Sequence, residues 1–166
     1  FSVKKSKCGL RFKSISTDTI ATTDIEPVIA ACRNMSQSKT GALIVIKRNN
    51  SLEFVKSSGD AMSVAVNQPI LESIFYKNSP LHDGAMLIEG NTITATRVIL
   101  PVSDDKKIPL RFGLRHRAAV GVSEKSDAVC LVVSEENGQI SYLKDGDFVL
   151  YETLEQLTEI IHKDLS

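Results

Sequence analysis

Tryptophan is absent from the 166 residues and aromatic side chains make up only 5% of them, so little is available for a base-stacking nucleic-acid platform. Net charge is absent too: 20 basic and 20 acidic residues cancel, leaving no global field to draw in DNA or RNA. A nucleic-acid partner is not expected. Cysteine is scarce and odd in number. Cys8, Cys32 and Cys130 share no metal-ligand spacing and read as reduced thiols, with Cys130 in the core. The longest uninterrupted apolar runs, Ala42 to Ile46 and Ala128 to Val133, are far too short to span a bilayer. Neither a signal peptide, nor repeats, nor low-complexity stretches are visible.

What is present fits one globular domain, with 42% hydrophobic and 24% charged residues and enough length to bury a core without disulfides or structural metal. The chain opens on Phe1 rather than methionine, as a piece of a longer protein would. Residues 1–22 read as a basic N-terminal segment, with Lys4, Lys5, Lys7, Arg11 and Lys13 ahead of the first acid, Asp18. Such a cluster is either a solvated terminus or a surface for anionic membrane. Residues 23–166 read as the functional domain.

Within that domain, Thr23-Asp24-Ile25-Glu26 resembles a capping box opening a helix to about Ser36. Gly41 to Ile46 reads as a strand buried on both faces, and Leu52 to Val55 as a second strand after the Asn49-Asn50-Ser51 turn. Pro69 to Tyr76 is expected to be a short helix. Ala85–Glu89 and Thr92–Leu100 form a predicted hairpin joined by Gly90-Asn91. Ala118 to Val122 reads as helical, ending near Ser126. Strands follow at 128–133 and 139–143, and an amphipathic helix at 152–163 closes the chain. Alternating elements with frequent hairpins predict an α/β domain: a mixed, mostly central β-sheet flanked by helices.

Two polar segments interrupt this apolar pattern. Leu81-His82-Asp83-Gly84-Ala85 offers an imidazole and a carboxylate beside a glycine, the parts needed to hold a cation or take a proton from a hydroxyl. The alternative is an Asp-Gly turn. Gly113-Leu114-Arg115-His116-Arg117 sets two guanidinium groups around an imidazole at a helix start, where they oppose the helix dipole unless an anion completes the site. Its alternative is an exposed basic turn. Ser134-Glu135-Glu136 follows a buried strand end, a position suited to ligand contact or to a plain polar turn. Ile99-Leu100-Pro101 offers apolar side chains that suit an adenine face or the core equally well. Lys144-Asp145-Gly146-Asp147 lacks the remainder of an EF-hand pattern.

Taken in order, Gly41 to Ile46, Ser79 to Ala85, Leu100-Pro101, Arg115 to Ala119 and Val133 to Glu136 resemble the diadenylate cyclase domain, roughly from the first helix to Phe148. The likeness is greatest to the membrane-anchored type. It implies condensation of two ATP into cyclic di-AMP with release of two pyrophosphates, using manganese, magnesium or cobalt. It further implies a head-to-head homodimer at the cytoplasmic face of the membrane, anchored by a segment not in this sequence.

By position, the resemblance assigns Asp83, Gly84 and Ala85 to the ribose 3′-hydroxyl side, and Arg115, His116 and Arg117 to phosphate. His82 and Glu136 fall on the metal. Ser134, Gly113 and Leu114 line the phosphate side, and Ile99, Leu100 and Pro101 border adenine. Two departures stand out: Leu114 replaces a familiar threonine, and Ile99 a familiar aromatic. Leu114 favours the alternative of a non-catalytic module that binds ATP or cyclic di-AMP. A domain with no ligand would leave both polar segments unexplained.

Overall fold

A strand with apolar residues at every position must be covered on both faces. The computed structural model, which describes residues 22–103, 108–109 and 111–166, meets that demand with a three-layer arrangement. β1 (Ala42–Ile46) lies at the middle of a seven-stranded sheet and is buried throughout. Ala42, Ile44 and Ile46 enter one apolar layer, Leu43 and Val45 the other. The neighbouring β5 (Val129–Val133) divides in the same way, with Val129, Leu131 and Val133 on the first side and Cys130 and Val132 on the second.

The other strands are β2 (Asp60–Ala65), β3 (Ala85–Glu89), β4 (Thr92–Val98), β6 (Ile140–Lys144) and β7 (Asp147–Val149), in the sheet order β2-β4-β3-β1-β5-β6-β7. Among the described residues only β1 and β3 pair in parallel; every other pairing is antiparallel. The mixed sheet expected from the sequence is the one observed. Helices α1 (Ile25–Ser38), α3 (Gln68–Phe75) and α5 (Leu154–Leu165) pack on the first face, α2 (Glu53–Lys56) and α4 (Leu114–Lys125) on the second. One buried thiol sits in each layer, Cys32 in the first and Cys130 in the second. Burial pushes the Cys32 pKa up to about 12 and raises that of Cys130 as well.

Several local expectations are corrected. Leu52–Val55 is not a strand: Ser51 Oγ accepts from the Glu53 amide at 3.1 Å and starts the short helix α2. Leu52 and Val55, three positions apart, both face the core, a helical spacing hidden in so short a segment. The edge strand β2 follows, at residues that the sequence pattern assigned to no element. Asp24, not Thr23, caps α1; Thr23 Oγ1 instead donates to the Gly90 carbonyl, tying the helix start to the β3–β4 turn. α4 begins at Leu114, one turn before the apolar stretch that suggested it. The acidic 144–147 segment is the tight turn of a hairpin, with Asp145 and Gly146 at φ 54° and 81°. The basic residues of the first twenty, Cys8 and the Asp104-Asp105 pair lie outside the described residues.

Leu131 is fully buried in β5. Leu131→Ala is expected to cost about 2–5 kcal/mol, seen as a lower urea midpoint with the slope unchanged. A midpoint matching wild type would contradict the central placement of β5.

Candidate active site

Polar side chains excluded from a sheet buried on both faces collect where strands end. Four such segments meet around one cavity of about 950 Å³: the turn entering β3, the exit of β4 with residues 58–60, the start of α4, and the turn after β5. That volume lies at the upper end of ordinary ligand pockets.

At the β3 end the cavity is lined by His82, Asp83, Gly84 and Ala85. Gly84 has φ +89°, and a Cβ there would stand 2.8 Å and 2.9 Å from the backbone carbon and Cα of Arg97. Both the dihedral and the close approach of β4 require glycine. The contact coincides with a break in the β3–β4 register between Ala85 and Leu87. Asp83, just before it, is exposed at the cavity wall. His82 Nδ1 stands 2.8 Å from the Ser79 carbonyl. Since a carbonyl only accepts, Nδ1 carries the proton and Nε2 keeps a free lone pair.

On the opposite side, Gly113 caps α4 without a side-chain hydrogen bond, so the free amides of the first turn remain available to an anion. Arg115 lies in that turn. Its Nη1 reaches the Glu135 carboxylate at 3.2 Å, and its guanidinium covers Gly41, where a Cβ would fall 2.6 Å from Arg115 Cζ. The loop after β5 is organised by Ser134, whose Oγ accepts from the amides of Glu136 at 3.1 Å and Asn137 at 3.3 Å. The Ser134 hydroxyl proton is left free to donate outward. Glu135, not Glu136, is the residue paired with Arg115, although both line the cavity.

His116 is not a third cation. It is 6% exposed, with its ring 4.7 Å from that of Phe112, which in turn stacks on Phe148 at 4.7 Å. Burial first, and then the Arg115 charge, hold its pKa down to about 4. A neutral imidazole in an aromatic stack fixes the start of α4 and offers an uncharged dipole to the cavity.

Of the remaining residues singled out in the sequence, Ile99 is 73% exposed on the cavity wall, Leu114 is 74% exposed, and Leu100 lines the cavity from within the core. Arg117 and Pro101 fall outside the lining. The Arg117 carbonyl accepts from the Ser103 amide at 3.1 Å, and the Pro101 carbonyl packs where a Cβ on Gly121 would come within 2.4 Å. Ser58, Gly59, Asp60, Arg97 and Arg111 also line the cavity and were not singled out. Asp60 and Arg97 meet across β2 and β4 from 37 positions apart, so their pairing leaves no local signal in the sequence.

No three His, Cys, Asp or Glu side chains come together as a metal cage among the described residues. His82, through Nε2, and Glu136 are cavity-wall groups able to serve as donors to a cation.

A mixed sheet that gathers a carboxylate, a guanidinium and an open helix start around a cavity of this size defines a nucleotide-binding α/β domain. The family model for the DisA bacterial checkpoint controller nucleotide-binding domain, abbreviated DAC, matches residues 29–148. The chain belongs to that family. It is 45% identical over 124 residues to a diadenylate cyclase, CdaS, of Bacillus thuringiensis, covering 75% of this chain and 61% of that one. A diadenylate cyclase of Listeria monocytogenes is 37% identical over 141 residues, covering 85% and 52%. The chain thus spans roughly half to three-fifths of the length of these curated relatives. The crystal structure of a double-cysteine variant of DacA from Staphylococcus aureus superposes with a TM-score of 0.82 at 41% identity, covering 85% of this chain and 94% of that one. No helix among the described residues is long and apolar enough to cross a membrane.

The His116 environment sets a pH dependence. The folded pKa lies below the value of 6.5 expected for the unfolded chain, so the unfolded state takes up the proton first. This contribution to stability is complete above pH 6.5 and is lost as pH falls towards 4. Melting temperatures at pH 7 and pH 5 should differ more in wild type than in His116→Phe. Equal differences would mean that the imidazole titrates as in water.

Proposed function

We propose that the chain is the catalytic domain of a diadenylate cyclase that joins two ATP molecules into cyclic di-AMP. One observation carries the reading: Asp83-Gly84, Arg115 at the start of α4, and Ser134 converge on a single cavity of nucleotide size. The spacing across the sheet supports it. β3 and β1 separate β4 from β5, so the two cavity ends stand three strand spacings apart, about 14 Å. A nucleoside triphosphate spans that distance with its phosphates at the cationic β5–α4 end, its base at the β2–β4 end, and its ribose beside Asp83.

In this reading each 3′-oxygen attacks the α-phosphorus of the other ATP while the bond from that phosphorus to the departing pyrophosphate breaks. Asp83 accepts the hydroxyl proton. Arg115 and the amides at the start of α4 hold phosphate oxygens, and Ser134 Oγ donates to another. A divalent cation, manganese, magnesium or cobalt, would be held by His82 and Glu136 with the phosphates and would supply positive charge there. Arg117 takes a supporting part through the α4 backbone. One domain holds one ATP, so two copies must face each other with their cavities apposed. The exposed apolar side chains of Leu114 and Ile99 on the cavity wall suit burial in such a pair. Residues 23–166 form the catalytic unit, working at the cytoplasmic face of the membrane through an anchor outside this sequence. The resemblance to the membrane-anchored type supports that location, as does a structurally similar Bacillus cereus protein described as a hypothetical membrane spanning protein.

Incubation with ATP and manganese, followed by chromatography, tests the activity; cyclic di-AMP and pyrophosphate are the expected products. ATP binding without turnover would instead favour the non-catalytic module to which Leu114 points. Asp83→Asn should keep its ATP-induced thermal shift while product formation falls roughly 10²–10⁴-fold. Product formation at the wild-type rate would remove Asp83 from the chemistry. The three atoms nearest a Cβ at Gly41 all belong to the flexible end of Arg115, so in Gly41→Ala stability should hold while ATP affinity drops about tenfold or more, the loss of a charge-assisted contact. Unchanged affinity would separate Arg115 from the phosphates.

A further inference from the structure

Arg97 has a backbone that its side chain does not favour. It sits at φ +54°, in the left-handed region that non-glycine residues seldom occupy. The position is the one pressed against Gly84, beside the register break of the β3–β4 pair. Strain of this kind persists where surrounding structure over-determines it, commonly at ligand sites. The side chain lines the cavity and donates from Nε to Asp60 Oδ2 at 2.6 Å. Its two terminal nitrogens make no hydrogen bond among the described residues. Asp60 also lines the cavity, and the pair remains about half exposed, at 50% and 46%. A donor fork and a carboxylate are thus held side by side at the β2–β4 end, next to the exposed apolar surface of Ile99.

We infer that Asp60 and Arg97 read the edge of the purine base and make this site select adenine over guanine; the inference rests on the cavity being an ATP site. Adenine presents an amino donor, N6, beside an acceptor, N7. A carboxylate paired with a guanidinium is the complement of that edge: Asp60 accepts from N6 and a terminal nitrogen of Arg97 donates to N7. Guanine presents two acceptors there, O6 and N7. An arginine alone would favour guanine, because its fork matches both acceptors. Asp60 prevents this by setting its negative charge against O6. Asp60 is therefore the discriminating residue, and Arg97 the residue that holds it at the cavity wall.

Binding of ATP and of GTP is measured by calorimetry on the same chain as wild type, Asp60→Ala and Arg97→Gly. Glycine is chosen at 97 because it removes the side chain and accepts the left-handed backbone, so the fold is retained. In Asp60→Ala the ATP-to-GTP affinity ratio should fall at least tenfold, through tighter GTP binding rather than weaker ATP binding alone. In Arg97→Gly the ratio should also fall, with ATP weakened and GTP not improved. A ratio that stays at the wild-type value in both variants, with ATP still bound, overturns the base-reading role and leaves the ATP site intact. Failure of the wild-type chain to bind ATP overturns both together.

Discussion

β1 and β5 carry apolar side chains on both faces, so neither can lie at a sheet edge and helices must cover both sides. That constraint determines where chemistry can occur. With the faces filled by aliphatic side chains, polar groups are left to strand ends and to helix starts that reach the same rim. The turn before β3, the exit of β4, the turn after β5 and the start of α4 all open on one cavity for this reason.

Two glycine-sized gaps then set the geometry. At Gly84 the backbone of β4 comes so close that no side chain fits, which fixes Asp83 at the wall. At Gly41 the missing side chain makes room for the Arg115 guanidinium, which lies over the residue just before the central strand and reaches Glu135. The Phe148–Phe112–His116 stack supports the other side of the same helix turn. Arg115 is thus placed by packing as well as by charge, and its one carboxylate partner among the described residues is exposed enough for an incoming anion to compete with it.

The layered α/β fold was legible in the sequence because its strongest signals are long and periodic. The buried runs at 42–46 and 128–133, the Gly90-Asn91 hairpin and the last amphipathic helix each stand on several residues that agree. Short edge elements were not. α2 and the residue before it show only two core positions at helical spacing, Leu52 and Val55, and β2 alternates small and polar side chains with Met62 and Val64, too weak a pattern to separate from a loop. The two polar motifs were readable as local clusters, and the structure brings Asp83 and Arg115 to one cavity. The burial of His116 was not legible, because the rings that cover it come partly from Phe148, 32 positions away. Asp60 and Arg97 were invisible for the same reason: their pairing exists only once β2 and β4 are side by side.

The two buried cysteines give the layered core an internal means of observation. Cys32 lies beneath the helices of one face and Cys130 beneath α4 on the other, and burial keeps both thiols protonated. Alkylating reagents act on thiolates in contact with water, so neither sulfur reacts while its own layer stays shut. The relative labelling of the two sulfurs therefore reports which side of the sheet loosens first, and whether the two faces open as one unit or separately.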